Sequence, residues 1–175
     1  MESFYFSKVR ELKREKTDLE KRLKVKIDIT GKKVKISGNT EDEYDASLVL
    51  EAMQFGFSAK KSLALLYNDI IFRKIPIKQH TRRKNLKEVR GRIIGAEGKT
   101  KHTVEQISGC DVVITNDAVG LIGPALGIEE ATTAVQKLIK GSKQANVYRF
   151  LERMNKEKRK MDTDLGLKLK KKAEE

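Results

Sequence analysis

Shifting the chain by 85 positions lays one half on the other, and no other feature constrains the fold as strongly. Ile94 falls on Val9, Val104 on Leu19, Val112 on Ile27, Ile114 on Ile29, Val119 on Val34 and Leu121 on Ile36. The register continues without a gap through Gly123 and Gly38, Ala131 and Ala46, Leu138 and Met53, and Gly141 and Gly56. A unit that recurs at fixed spacing must bury its apolar face the same way twice. The 175 residues therefore divide into two units of roughly 80 residues, each able to bury a modest core. Alternating apolar residues predict a hairpin in each, closed by Gly31-Lys32 and by Asn116-Asp117, with the same strand parity facing inward.

Around these hairpins the first unit, residues 1–68, predicts a short strand at Phe4 to Phe6 and a helix from about Val9 to Leu23. A second helix follows from the acids after Asn39 to Phe55 and stops at Gly56, and a shorter one capped by Ser58 reaches Leu66. The second unit, residues 69–155, predicts a strand from Ile70 to Ile77 that Pro76 places at a sheet edge. Helices follow around Val104 and Ile107, from Ile128 to Ile139, and from Ala145 to Asn155. Gln79 to Val89 reads as a basic helix inserted in the second unit, with no room for it in the first. Residues 156–175 form a lysine-rich tail in which Leu165, Leu167 and Leu169 alternate, compatible with a frayed helix, a disordered tail or a docking strand.

The repeat also exposes an asymmetry. In the second unit, Gly95-Ala96-Glu97-Gly98 forms a Gly-x-x-Gly turn between apolar Ile93-Ile94 and a basic helix start. Glycine has no Cβ, so such a turn lets a sugar-phosphate chain approach closely. The helix behind it aims free amides and a positive dipole end at the same point. The matching positions in the first unit are Arg10 and Lys13, which closes that approach and points to a scaffold or protein-docking role.

Charge agrees with a polyanionic partner: the net charge is +13. From Lys78 to Arg92 seven lysines and arginines face one acid, Glu88, for a local net of +6 leading into the glycine turn. Arg82, Arg83, Lys84, Arg90, Arg92, Lys99 and Lys101 are the expected phosphate contacts. Bases are expected in an apolar groove beside the strand carrying Val112 and Ile114.

Catalytic and metal chemistry find no support. His80 and His102 lie apart, the single Cys110 sits at an inward position, and no carboxylate pair has a supporting base. No enzyme activity, cofactor or metal is expected. The N-terminal Met1 to Phe6 is too short for an export signal, and no apolar run approaches about 20 residues, so an intracellular, cytoplasmic protein is expected.

The order helix, Gly-x-x-Gly, helix, strand, strand, helix resembles the K-homology (KH) RNA-binding domain of the type with a C-terminal final helix. This implies an α+β fold of two tandem type I KH domains, each a three-stranded antiparallel sheet with helices on one face plus an extra C-terminal helix. Gly91 to Gly95, Gly98 to Lys101 and Val147 to Arg153 further resemble the archaeal twin-KH proteins. Those are related to the eukaryotic partner-of-Nob family and, more distantly, to the Krr ribosome-assembly factors. The resemblance implies a non-enzymatic assembly factor that binds single-stranded small-subunit (16S-type) rRNA near its 3′ end. It also implies contact with the end-processing nuclease and with the α subunit of initiation factor two. An adaptor of the initiation machinery with secondary RNA binding is the alternative. Glu97 departs from the lysine or glycine common at its position in the family.

Overall fold

The structure, a computed structural model, describes residues 3–6 and 9–164. The first unit runs β1 (Ser3–Tyr5), α1 (Arg10–Leu23), β2 (Lys26–Thr30), β3 (Lys33–Ser37), α2 (Thr40–Phe55) and α3 (Ala59–Ser62), followed by a 3-10 turn at Leu63–Leu66. The second runs β4 (Ile70–Pro76), α4 (Ile77–His80), α5 (Leu86–Ile94), α6 (Lys99–Ser108), β5 (Asp111–Ile114), β6 (Ala118–Pro124), α7 (Ala125–Lys140) and α8 (Gln144–Asp164). The fold is α+β, with two antiparallel three-stranded sheets ordered β1-β3-β2 and β4-β6-β5.

The 85-residue offset holds at the level of cross-strand pairs. Ile27 pairs with Ile36 and Ile29 with Val34 in one sheet, as Val112 pairs with Leu121 and Ile114 with Val119 in the other. It extends even to a side chain. The Glu20 carboxylate accepts the Ile27 N–H at 2.7 Å, and the Glu105 carboxylate accepts the Val112 N–H at 3.0 Å. In each unit a helix is thereby pinned to an outer strand of its sheet.

Two expectations about the segment before the glycine turn are corrected. Gln79 to Val89 is not one inserted helix: α4 ends at His80, residues 81–85 are non-helical, and α5 starts at Leu86. Side chains set that break. The Thr81 hydroxyl accepts the Arg83 N–H at 3.2 Å, and the Asn85 side chain accepts the Glu88 N–H at 3.4 Å to cap α5, local bonds that compete with a continuous helix. Nor is it simply extra: α5 is the helix that enters the glycine turn, and the first unit lacks its counterpart. There α1 begins at Arg10, so the positions of the turn are a helix's first residues. At the far end α8 continues past Asn155 to Asp164. Leu165, Leu167 and Leu169 lie outside the described residues.

The units pack face to back. The rings of Phe55, Phe57 and Phe72 meet with centroids 5.8–6.1 Å apart, in a cluster that includes Ala52 and Ile122. Lys61 and Asp111 add an ion pair at 2.6 Å. Residues 118–123 of β6 are consequently buried without alternation, because helices cover one face and the first unit's aromatics the other. A side chain at Gly120 would meet Phe55 Cε1 at 2.4 Å, so glycine there is what admits the rings. The first sheet keeps the one-sided pattern, with Lys26, Asp28, Lys33 and Lys35 exposed.

Candidate nucleic-acid interface

α5 delivers the turn and α6 leaves it. Gly95 closes α5 at φ 75°, ψ 176°, and its N–H bonds the Gly91 carbonyl at 2.8 Å. Glu97 (φ 52°, ψ 27°) and Gly98 (φ 77°, ψ 7°) then occupy the left-handed region in succession, and no side chain caps the first amides of α6. Holding a non-glycine residue at Glu97 in that region costs roughly 1–2 kcal/mol. The two glycines differ. A Cβ at Gly95 would lie 2.2 Å from Thr100 Oγ1 and 2.8 Å from the Thr100 nitrogen, whereas one at Gly98 meets nothing within 4 Å. Gly95 therefore lets the turn fold back onto α6, and Gly98 faces open space. Substituting both by aspartate would strain the fold as well as repel phosphate, so Gly98 is the cleaner position at which to probe binding.

Ala96 and Glu97 are exposed at the apex. The basic residues separate into groups. Arg82 and Lys84, ahead of α5, and Lys99, at the start of α6, are exposed. Arg83 pairs with Glu88 at 2.7 Å, and Arg92 lies against Gly141 at the C-terminal end of α7, where Arg83 also reaches. That end carries the negative pole of the helix, which accounts for two guanidinium groups turning toward it. One nitrogen of Arg92, Nη1, is buried without a hydrogen-bond partner. Arg90 donates to the Asn116 side-chain oxygen in the β5–β6 turn. Lys101 approaches Glu105 at 3.6 Å, and Lys16 approaches Glu20 at 3.7 Å at the same offset.

The apolar lining is also redistributed. Val112 is only 2% exposed and belongs to the core, so its side chain cannot meet a base without opening that core. Ile114 is half-buried. Ile94, at the last position of α5, is 40% exposed beside the turn and is the apolar surface that periodicity did not single out. Burial pushes the Cys110 thiol above its ordinary value, which removes the thiolate a nucleophile needs. Among the described residues no group of three or more histidine, cysteine or acidic side chains converges as a metal site, and no helix is long and apolar enough to cross a membrane.

Behind the turn stands α8. The Tyr148 hydroxyl donates to Thr100 Oγ1 at 2.9 Å, and Gln144 Nε2 donates to the Arg92 carbonyl at 3.3 Å. Neither contact was foreseen from sequence, although a tyrosine on an otherwise apolar helix face signals a hydroxyl in need of a partner.

Residues 71–156 match the family model for the eukaryotic type KH domain, KH-domain type I, in the form of the second such domain of PNO1. Dim2p of Pyrococcus horikoshii OT3 is 32% identical with a TM-score of 0.78, over 87% of this chain and 98% of that one. A chain of the a/eIF2α–aDim2p–rRNA complex from the same organism is 32% identical with a TM-score of 0.81, over 89% and 94%. A KH domain-containing protein of Methanocaldococcus jannaschii is 28% identical over 145 residues, 79% of this chain and 64% of the relative. The pre-rRNA-processing protein pno1 of Aspergillus oryzae is 31% identical over 109 residues, 60% of this chain and 42% of the relative. The chain thus spans less than two thirds of the length of these curated relatives. With such identity extending over nearly all of Dim2p on a shared fold, the chain belongs to the PNO1/Dim2-like family of KH-domain proteins.

Proposed function

We propose that the protein binds single-stranded RNA at the Gly95–Gly98 turn and serves as a non-enzymatic assembly factor on small-subunit rRNA near its 3′ end. The observation that carries the binding site is the turn itself. Successive left-handed residues at Glu97 and Gly98 open the uncapped amides of α6 to an incoming backbone, while Ile94 offers apolar surface next to it. A KH turn of this kind holds about four nucleotides. Arg82, Lys84 and Lys99 supply phosphate contacts, and bases lie toward Ile94 and Ile114. The rRNA in the P. horikoshii complex and the pre-rRNA-processing name of the fungal relative support this substrate class.

The first unit is read as a reduced KH domain, which makes the chain a tandem repeat. It shares strand order, register and the glutamate-to-strand bond, but has neither α5 nor the glycines. Docking of protein is its proposed role. The presence of a/eIF2α in the P. horikoshii complex favours the α subunit of initiation factor two as a partner, and the rRNA 3′-end nuclease is a second proposed partner. The same complex supports the alternative of an initiation adaptor with secondary RNA binding. A cytoplasmic setting follows from either.

The test compares wild type and Gly98→Asp for binding to a 16S-type 3′-end RNA and a scrambled control. Loss of the specific interaction is expected with a fall in melting temperature no larger than that of Gly98→Ala, since both side chains meet the same left-handed backbone, and unchanged affinity would reject the site. Copurification with pre-ribosomal particles is expected; recovery only with free initiation factor would select the adaptor.

A further inference from the structure

We infer that α8 is a brace that sets the geometry of the RNA turn, with Gln144 and Tyr148 as its positioning residues. The inference rests on the RNA reading above and adds a part to it.

Gln144 and Tyr148 are four residues apart and so share one face of α8. One reaches each side of the turn. Gln144 satisfies the Arg92 carbonyl, which belongs to the last turn of α5, where carbonyls have no partner within the helix. Tyr148 fixes the hydroxyl of Thr100, a 1% exposed residue in the first turn of α6. Thr100 is also the residue on which Gly95 rests, at a separation too small for any Cβ. Rotation of the Thr100 side chain would therefore press on the backbone of the turn, and the Tyr148 bond prevents it.

The brace is anchored independently of these two bonds. Val147 and Leu151 on α8 are completely buried in the second unit's core, and Lys158 reaches the buried Glu130 at 2.7 Å. The repeat supplies a second, independent observation. At the 85-residue offset the first unit has Ala59 for Gln144, Leu63 for Tyr148 and Glu15 for Thr100. The copy without the glycine turn is also the copy without the polar groups that would hold it.

The test uses the full chain with Tyr148→Phe, which removes only the hydroxyl, and Gln144→Ala at an exposed site. Each should weaken single-stranded RNA binding about 3- to 10-fold, the effect of one net hydrogen bond. The slope of log affinity against log salt should not change, since neither residue contacts phosphate. Without RNA, amide exchange at Gly98 and Lys99 should quicken in both variants while exchange in β6 does not. Thr100→Ser, which keeps the hydroxyl, should behave as wild type, and Thr100→Val should resemble Tyr148→Phe without adding to it. Unchanged affinity and exchange in Tyr148→Phe would overturn the brace, as would a faster exchange spread evenly over the unit. Gly98→Asp run alongside separates the two readings: if it abolishes binding and Tyr148→Phe does nothing, only the brace fails. If Gly98→Asp leaves binding intact, the RNA site fails, and amide exchange alone then decides whether α8 holds the turn.

Discussion

Replacing each glycine of the turn by alanine should give unequal costs, although the two occupy equivalent ends of one motif. At Gly98 (φ 77°) the new Cβ meets nothing within 4 Å, so the cost is the left-handed backbone alone, about 1 kcal/mol. At Gly95 the backbone lies at φ 75°, ψ 176°, a region open essentially to glycine only, with a cost of about 1–3 kcal/mol. The Cβ would also sit 2.2 Å from Thr100 Oγ1 and 2.8 Å from a backbone nitrogen, adding an overpacking cost of about 1–3 kcal/mol. The side-chain oxygen can give way only by breaking its bond to Tyr148, and the nitrogen cannot without moving α6. A total of about 3 kcal/mol for Gly95→Ala corresponds to a fall in melting temperature of roughly 6–12 °C, against roughly 2–4 °C for Gly98→Ala, at the entropy of a chain this size. Scanning calorimetry and circular dichroism of the two variants provide the comparison. Equal shifts would refute the argument that Gly95 is held by contact with Thr100 and Gly98 is not.

Alanine at Arg82, Arg83 and Lys84 together should flatten the salt dependence of RNA binding by about 1.4, because Arg83 is committed to Glu88 and each of two remaining contacts accounts for about 0.7 on a single strand. A loss of sequence preference at constant slope would instead assign base recognition to this segment. Gly120→Val should separate the units, since even a Cβ falls 2.4 Å from Phe55; proteolysis in residues 56–69 should accelerate, and an unchanged cleavage rate would contradict the packing. The Arg73 hydrogen bond holds the Glu129 carboxyl below its ordinary range. A lowered folded value means that the contribution is full above the ordinary value and fades as pH falls through the folded one. Glu129→Gln should therefore narrow its stability difference from wild type on acidification, which acid melts would show; a difference constant with pH would exclude this linkage.

The strands, their register and the turn were legible because each rests on local chemistry: period-two burial, a two-residue hairpin, paired glycines. Which apolar residue borders the groove was not. Val112 and Ile94 look equivalent in a hydrophobic pattern, yet one lies in the core and the other at the end of α5, a distinction made by packing across elements. The break at residues 81–85 escaped because positive charge dominated the reading, while Thr81 and Asn85 redirected the backbone. The absence of a counterpart to α5 from the first unit was legible, because the strand ending near Phe6 and the helix starting near Val9 leave no residues for it. The tyrosine brace joins residues 48 apart, beyond any spacing rule. The even burial of β6 escaped as well, because one inward parity was expected for both hairpins and the Phe55 and Phe57 rings cover its second face from outside the unit.

That second face makes the two units partners. A strand with water on one side can be cut free and remain soluble, whereas β6 has surrendered its polar side altogether. Deleting the first unit would not subtract a module from a string of beads. It would peel the lining from a sheet, leaving Ile70, Phe72 and Ile122 to seek another cover, from aggregation or from a stray chain. The packing is a mutual custody: the unit without glycines lines the face that the unit with them leaves apolar.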